Sequence, residues 1–403
     1  MSRVATQLVN SLRRWRADAQ AAALERRLRQ DPTNVRQRCA AVAFYCREAN
    51  AAREEDAQSG MYFQNARHHL ENILETTDCV DTFHAVLTQA VGPKNFYRLP
   101  DLTAKYMRRI GLHQQCLEEF DTRSEFEERA TPYHFGNALT ILKASGQERA
   151  ASELFDEAVN LEWGGRRPIG WRHLRQTPAV YIEGLQHKPF WEGEQRPAIA
   201  AILEANFRDI LMDLEEILAR WRVAGQVPAY PNLVDGDNGT WDMLQLYSGR
   251  KWNEDACAMA PRTTALLRPH LPTADLPYVH YNTEEVVFFL LAPGSRVHIH
   301  NGGSNVPLNM SLGLRGCAGS HLEVAGETRD FQDGRVICFD DGSDHRVWHE
   351  GPEDRWVLTI RVMHPDLVMN SATYFARAFT NRTCFETWDE SRALRLRAGM
   401  GSS

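Results

Sequence analysis

The chain has 403 residues, of which 43% are hydrophobic and 25% are charged, and its net charge is −7 at pH 7. This composition is typical of a globular protein with two or three domains, and it excludes broad electrostatic attraction to nucleic acid. The sequence has no signal-peptide pattern and no run of about 18 apolar residues, so we expect no membrane partner and a cytoplasmic location.

Residues 1–165 predict a helical domain, because apolar residues recur at three- and four-residue spacing and few stretches alternate with period two. Within it, residues 131–163 contain two amphipathic segments around Gly146, over about the length of one tetratricopeptide unit. A plain helical hairpin has some of the same spacing, so both interpretations stay open. Repeats of this kind bind partners, and we therefore expect a protein partner for this domain.

The chain changes character after residue 165. Gly and Pro residues at 166–178 predict a linker, and an apolar stripe predicts one helix at 196–222. Short apolar runs between turn residues then predict strands at 286–291, 311–314, 336–339 and 356–362. These runs favour a β-barrel or sandwich at 179–375, followed by a C-terminal tail at 376–403. The predicted fold class is a multidomain α+β chain.

His300, His345 and Arg355 follow one another in an order that suits a non-haem iron site. Fe(II) binds imidazole ligands on one face and leaves other positions for a 2-oxo acid and O₂. An Arg that opens the next strand can bind the far carboxylate of that acid through charge-assisted hydrogen bonds. Paired histidines on strands are nevertheless more often structural, so the pattern alone leaves both interpretations open.

Four segments, in the same order, resemble the aspartyl/asparaginyl β-hydroxylase family. They contain the runs TPAVYIEGL and KPFW at 177–191, NEDAC and APRTTALL at 253–267, HNGGSN and LGL at 300–314, and FDD and HPDL at 339–367. The resemblance covers nearly half of the chain and implies a double-stranded β-helix, which is a jelly-roll or cupin-like barrel. It also implies that His300 and His345 hold Fe(II) without a carboxylate, in agreement with Gly302, and that Arg355 binds 2-oxoglutarate.

The same resemblance reveals departures around the co-substrate. The family's Arg-x-Arg-x-His run corresponds here to Pro307, Asn309 and Ser311, so two cations and an imidazole are lost. Asn309 and Ser311 remain the candidates for binding the near end of 2-oxoglutarate, as neutral donors. A charged hydrogen bond contributes ~1.5–3 kcal/mol against about 1 kcal/mol for a neutral one, so we expect weaker co-substrate binding. Phe289 stands where some members place a supporting Ser.

Three further residues are candidates for roles around the metal. Asp341 is expected either to orient a ligand imidazole or to be a turn aspartate. Trp241 and Asn305 are candidate substrate contacts, with a core position as the alternative for Trp241. The sequence does not decide between these roles.

Three functions fit these observations. The first is an Fe(II)/2-oxoglutarate-dependent dioxygenase that hydroxylates a peptide or amino-acid-type substrate in a rebuilt pocket, with cations drawn from Arg296, Arg315, Arg346 or Arg361. The second is a metal-dependent oxygenase that uses another small molecule in place of 2-oxoglutarate. The third is a non-catalytic binding or scaffold protein that retains the barrel. Pro307 argues against ordinary Asp/Asn recognition, whereas the helical repeat argues for a peptide or protein substrate.

Overall fold

A computed structural model of the chain describes residues 3–52, 57–112, 131–161, 170–178, 181–224, 234–235, 241–272 and 284–368. Contacts divide the chain into two compact units, Met1–Gln114 with Ser145–Gln147, and Gln115–Ala144 with Glu148–Ser403. The helical pair that follows residue 130 is therefore part of the same unit as the strands. The domain boundaries predicted at residues 165, 178 and 375 stay predictions. No helix in the described part of the chain has both the length and the apolar character needed to cross a membrane.

The described residues of the first unit form five α-helices. They are α1 (Arg3–Gln30), α2 (Val35–Ala51), α3 (Ala57–Thr76), α4 (Val80–Ala85) and α5 (Pro100–Leu112), with a π-helical turn at Val86–Val91 and a 3-10 helix at Pro93–Arg98. Asn34 starts α2 because its side chain accepts a hydrogen bond from the Gln37 amide at 2.9 Å. Phe44 and Tyr62 pack edge to face in the core, with ring centroids 6.5 Å apart. The predicted helical character is confirmed in this unit.

The described part of the second unit includes a helical hairpin, formed by α6 (Thr131–Ala144) and α7 (Glu148–Asn160). Gly146 has a φ of 71° at the turn, a conformation that glycine adopts without steric cost. Ala138, Leu139 and Ala158 are fully buried, so the small and apolar positions face inward as their spacing predicts. The hairpin is confirmed, and its likeness to a tetratricopeptide unit stays a prediction.

Residues 170–178, predicted as part of a linker, are a packed segment instead. Trp171 is buried and its Nε1 donates to the Pro178 carbonyl at 2.8 Å. Gln176 is also buried, and its Nε2 donates to Asp340 Oδ2 at 2.5 Å. The Gly and Pro content predicted the irregular backbone correctly. It could not predict that an indole and an amide would anchor that backbone to distant parts of the unit.

The helix predicted at 196–222 is wrong as a single element. It is two helices, α8 (Ile199–Ala205) and α9 (Phe207–Ala224), which are separated at Asn206. Asn206 has φ −107° and ψ 20°, and its Nδ2 donates to the Ile202 carbonyl at 2.8 Å. Such a side chain competes with the helical backbone for hydrogen bonds and favours a break. Two short helices follow, α10 (Glu254–Met259) and α11 (Pro261–Leu267).

The strands form two antiparallel sheets. They are β1 (Val234–Asp235), β2 (Trp241–Ser248), β3 (Lys251–Trp252), β4 (Glu285–Leu291), β5 (Arg296–His300), β6 (Pro307–Arg315), β7 (Ser320–Val324), β8 (Glu327–Asp330), β9 (Val336–Asp340), β10 (His345–His349) and β11 (Arg355–Met363). The five-stranded sheet has the order β1-β5-β10-β7-β8, and the six-stranded sheet has the order β3-β2-β4-β11-β6-β9. The four predicted strands lie within β4, β6, β9 and β11, and the double-stranded β-helix is confirmed.

Two apolar clusters cover the two faces of the six-stranded sheet. Leu358 and Ile360 of β11 belong to a cluster that also contains residues of helices α8 to α11. Val357, which precedes Leu358 and points to the opposite face of the sheet, belongs to a cluster with Leu322 and Val324 of the other sheet. Since side chains alternate along a strand, Arg355, Val357, Thr359 and Arg361 share the face that looks into the barrel.

Candidate metal centre

His300 and His345 lie directly opposite each other on adjacent strands of the five-stranded sheet. His300 ends β5 and His345 begins β10, and the antiparallel register pairs the two residues. Their ring centroids are 4.3 Å apart, with the ring planes inclined by 56°. The structure thus brings together the two imidazoles predicted to hold a metal, and their role as ligands stays a prediction.

Each ring is oriented by the backbone two residues before it. His300 Nδ1 lies 2.7 Å from the His298 carbonyl oxygen, and His345 Nδ1 lies 2.8 Å from the Ser343 carbonyl oxygen. A carbonyl can only accept, so each Nδ1 carries a proton and each Nε2 is the nitrogen left to face a metal. Burial, reinforced by the neighbouring His345, lowers the pKa of His300 to about 3, so this ring is neutral at physiological pH. The pair therefore fits a metal bound through Nε2, with its orienting partners in place.

Gly302 follows His300 by two residues, and the side chain of Asp341 occupies the space beside this glycine. A Cβ built on Gly302 would overlap Asp341 Oδ2, and the Gly302 amide donates to the Asp341 carbonyl at 2.7 Å. Among the described residues, no group of three His, Cys, Asp or Glu side chains, Asp341 included, is arranged to hold a metal. The Asp341 carboxylate stands next to the two histidines as a charged neighbour.

A buried polar network holds Asp341 in that position. Asp341 Oδ1 accepts a hydrogen bond from Asn309 Nδ2 at 3.2 Å, and Asp341 Oδ2 forms an ion pair with Arg361 Nε at 3.1 Å. Arg361 also pairs with Glu285 Oε1 at 3.0 Å. Burial alone would raise the pKa of Asp341, but Arg361 and His345 outweigh it and hold that pKa below its ordinary value. Asp341 is thus an ionised carboxylate inside the barrel.

Asn309 and Ser311, predicted to bind the co-substrate, belong to the same network. Ser311 Oγ lies 3.2 Å from Asn309 Oδ1 and 3.0 Å from Thr359 Oγ1. The register across the sheet places Asn309 opposite Arg361 and Ser311 opposite Thr359. These polar residues therefore form two neighbouring rows on the inner face, next to the histidines.

The four arginines considered as replacement cations differ sharply in their surroundings. Arg296 and Arg346 are exposed and pair with Glu350 and Glu323, respectively. Arg315 is exposed at the end of β6. Arg361 is the one of the four whose guanidinium reaches the carboxylate beside the histidines. The position of Arg361 was predictable, because it lies an even number of residues after Arg355 on one strand and so shares its face.

Arg355 lies at the other end of the inner face of β11. It is 4% exposed, its guanidinium stacks over the Phe331 ring at 4.8 Å, and its Nε has no hydrogen-bond partner among the residues that the structure describes. Burial lowers the pKa of Arg355 to about 10, still well above neutrality. Phe289, which replaces a supporting Ser, packs against the apolar cluster between the sheets. The site thus contains a buried cation surrounded largely by apolar side chains.

The structure describes the side chain of Asn305 but not that of Trp241, the other candidate substrate contact. Asn305 is buried, and its side chain both accepts from the Ile182 amide at 2.8 Å and donates to the Ile182 carbonyl at 2.9 Å. It therefore anchors the chain around residue 182, and a direct contact with substrate stays a prediction. Trp241 begins β2 and its backbone pairs with Leu291, which in turn pairs with Arg355. Its side chain lies outside the described part of the structure.

Two functional candidates were not found from the sequence. Glu285 begins an apolar strand and pairs across the sheet with Arg361. Lys143 lies on helix α6 and forms a buried ion pair with Asp344, the residue before His345. A charge inside an apolar run was a usable signal for Glu285. Lys143 had no comparable signal, because its partner is distant in the sequence.

Comparison with known proteins places this geometry in context. Residues 204–365 match the family model described as aspartyl/asparaginyl beta-hydroxylase. The mouse aspartyl/asparaginyl beta-hydroxylase is 30% identical over 199 residues, which are 48% of this chain and 25% of the mouse protein. The human aspartate beta-hydroxylase domain-containing protein 2 is 26% identical over 205 residues, which are 49% of this chain and 54% of the human protein. The chain thus matches between a quarter and about half of the length of these relatives.

Solved structures with some likeness are more distant. A Pseudomonas putida prolyl-4-hydroxylase has a TM-score of 0.25 and 15% identity, over 39% of this chain and 86% of that chain. A predicted oxalate decarboxylase from Thermotoga maritima has a TM-score of 0.23 and 16% identity, over 34% of this chain and 92% of that chain. The strand order described above, rather than these likenesses, defines the barrel.

Proposed function

We propose that the barrel, in which residues 204–365 match the aspartyl/asparaginyl β-hydroxylase family model, is a non-haem Fe(II)/2-oxoglutarate-dependent oxygenase. The observation that carries this proposal is Arg355, a buried cation that has no carboxylate partner among the described residues. Removing a charge from water without a partner is unfavourable. A carboxylate that enters the barrel would supply that partner with charge-assisted hydrogen bonds, and 2-oxoglutarate carries one at its far end.

His300 and His345 are the proposed ligands of Fe(II). Each has its Nδ1 bonded to a backbone carbonyl, so Nε2 is the nitrogen left for a metal. Bound Fe(II) would supply the binding and activation of O₂ together with the chelation of a 2-oxo acid. The contribution of the protein is orientation: the carbonyls of His298 and Ser343 fix the rings, and Asp341 stays beside them as an ionised neighbour.

The near end of the co-substrate is proposed to meet Asn309 and Ser311. Both side chains are neutral and already hydrogen-bonded within the network. A ligand at this position would therefore replace existing hydrogen bonds and would not satisfy unpaired donors or acceptors. Arg361, directly opposite Asn309, restores a cation at this end of the barrel. It is shared between Asp341 and Glu285, so little of its charge is left for an entering anion. We therefore infer weak binding at the near end and strong binding at Arg355.

The proposed substrate is a peptide or amino-acid-type molecule, in keeping with the names of the relatives. Pro307 stands where the family has an Arg, so the carboxylate of an Asp side chain would lack that partner. Trp241 is the proposed aromatic contact, and Asn305 acts through the Ile182 backbone that it holds. The helical part of the chain is the proposed binding site for a protein partner.

A second candidate is a metal-dependent oxygenase that binds a different small carboxylate. The observation that favours it is the sharing of Arg361 by two carboxylates, which gives the near end one more negative than positive charge when both are ionised. A ligand with a single carboxylate would satisfy Arg355 without placing a second negative charge near Asp341. This candidate keeps the metal site and changes only the co-substrate.

One experiment separates these functions. The protein is purified without oxygen, its iron content is measured after loading with Fe(II), and succinate is followed after adding 2-oxoglutarate and O₂. Iron at about one equivalent together with succinate supports the first function, because decarboxylation of 2-oxoglutarate yields succinate. Iron without succinate supports the second candidate. Failure to bind iron would refute both.

A further inference from the structure

Lys143, in the last turn of helix α6, is buried against the loop that carries a metal-site histidine. Its Nζ lies 2.5 Å from Asp344 Oδ2, 3.0 Å from the Leu174 carbonyl and 3.4 Å from Thr177 Oγ1. Neither side chain of the ion pair is exposed to solvent. Three acceptors match the three N–H donors of an ammonium, so this buried cation is fully satisfied.

Asp344 immediately precedes His345, and its backbone makes two hydrogen bonds of its own. The Asp344 amide donates to the Arg175 carbonyl at 2.7 Å, and its carbonyl accepts from the Ala325 amide at 2.8 Å. The preceding residue, Ser343, supplies the carbonyl that orients the His345 ring. A shift of Asp344 would therefore move both the backbone of His345 and the acceptor of its Nδ1.

Helix α6 approaches this loop closely through residues 170–178. A Cβ on Gly136 would come within 2.6 Å of the Thr177 carbonyl oxygen, so helix and segment are in direct contact. Gln176, in the same segment, donates to Asp340 at the start of the loop. The loop is thus tied at Asp340 to the segment 170–178 through Gln176, and at Asp344 to helix α6 through Lys143.

We propose that Lys143 is a positioning residue for His345, so that the helical hairpin is part of the metal centre and not only a partner-binding module. A buried ion pair contributes little net stability, because desolvation offsets much of the attraction. The ion pair instead acts on position, because the hydrogen-bonded ammonium of Lys143 holds the Asp344 side chain in one place. The inference rests on the proposed function only in taking His345 as a metal ligand.

The test is metal affinity in the full-length protein, with Co(II) as an O₂-stable substitute for Fe(II). Lys143→Met removes the ammonium and keeps most of the side-chain volume. We expect the Kd for Co(II) to rise at least ~10-fold, as when other outer partners of metal ligands are removed. The visible spectrum of bound Co(II) should also change, because the orientation of His345 is altered.

Two further variants separate positioning from stability. In Lys143→Met/Asp344→Asn no buried charge is left unpaired, so thermal stability should recover while Co(II) affinity stays weak. Asp213→Asn is the matched control: Asp213 is fully buried and accepts from the Thr263 amide at 2.6 Å, between helices α9 and α11 and away from the loop. It should lower stability and leave Co(II) affinity unchanged.

Three results would overturn the inference: wild-type affinity in Lys143→Met, recovery of affinity together with stability in the double variant, or equal loss of affinity in Asp213→Asn. Failure of the wild type to bind Co(II) would instead refute the proposed metal ligands. The two proposals therefore fail in different ways.

Discussion

Asp341 fills the position into which a side chain on Gly302 would extend. In an oxygenase with two histidines and a carboxylate, residue 302 would carry the acidic ligand, and here a carboxylate from a different strand end stands in that space. The glycine is therefore required by packing. A carboxylate introduced at residue 302 would compete with Asp341 for one volume.

We expect Gly302→Ala to lower thermal stability and Co(II) affinity, because overpacking a tight site costs ~1–3 kcal/mol. The same substitution in an Asp341→Ala background should cost much less, since the conflicting carboxylate is gone. Thermal denaturation of the four proteins in this double-mutant cycle gives the coupling energy. Equal costs of Gly302→Ala in both backgrounds would show that Asp341 does not occupy the space.

His300→Ala and His345→Ala should each abolish tight metal binding and leave the fold intact. Each removes an imidazole whose Nε2 is the proposed ligand atom. Iron content after anaerobic loading and far-UV circular dichroism check the two parts of this prediction. His298→Ala on the same strand is the control, and it should retain metal. Wild-type iron content in both ligand variants would refute the assignment.

Much of this centre could be predicted from the sequence, and the reasons are local. The strands β4, β6, β9 and β11 of the six-stranded sheet are apolar runs between turn residues, and this pattern predicts them from the sequence. The period of two along β11 puts Arg355 and Arg361 on one face. These features depend on residues that are close in the sequence or share a repeating pattern.

The parts that were missed depend on contacts between distant residues. The break at Asn206 follows from one side-chain hydrogen bond that an apolar stripe does not reveal. The packing of residues 170–178 depends on Gln176 reaching Asp340, and the role of Lys143 depends on Asp344. Composition at either end of such a pair looks ordinary, so a single sequence does not predict it.

Arg355→Met should weaken 2-oxoglutarate binding without lowering the stability of the metal-free protein. The guanidinium loses hydration on burial and has no carboxylate partner among the described residues, so its removal relieves a cost. Loss of one charge-assisted contact should raise the Kd for 2-oxoglutarate by ~10-fold or more. Calorimetric titration and thermal denaturation measure the two effects. Unchanged affinity would place the co-substrate elsewhere.

Arg361→Met should behave in the opposite way and destabilise the protein strongly. It leaves Asp341 and Glu285 buried without their shared cation, a loss of ~3–5 kcal/mol for a broken buried pair. Burial already raises the pKa of Glu285, so this carboxyl takes up a proton readily when Arg361 is absent. The destabilisation should therefore shrink as the pH is lowered below 7, because protonation of Glu285 removes its unpaired charge. Urea denaturation at several pH values tests it against Arg355→Met, for which no such trend is expected.

The neutral His300 ring predicts how stability of the metal-free protein depends on pH. The pKa of His300 is lowered from 6.5 to about 3 by burial and by His345, so between these values the unfolded chain binds a proton that the folded chain does not. Stability therefore falls as pH falls through this window, with a slope of up to ~1.4 kcal/mol per pH unit from this group. His300→Gln removes the titrating group, so its denaturation free energy should depend less on pH between 6.5 and 4.5. Identical slopes for the two proteins, measured by urea denaturation in the presence of a chelator, would show that His300 is protonated in the folded state.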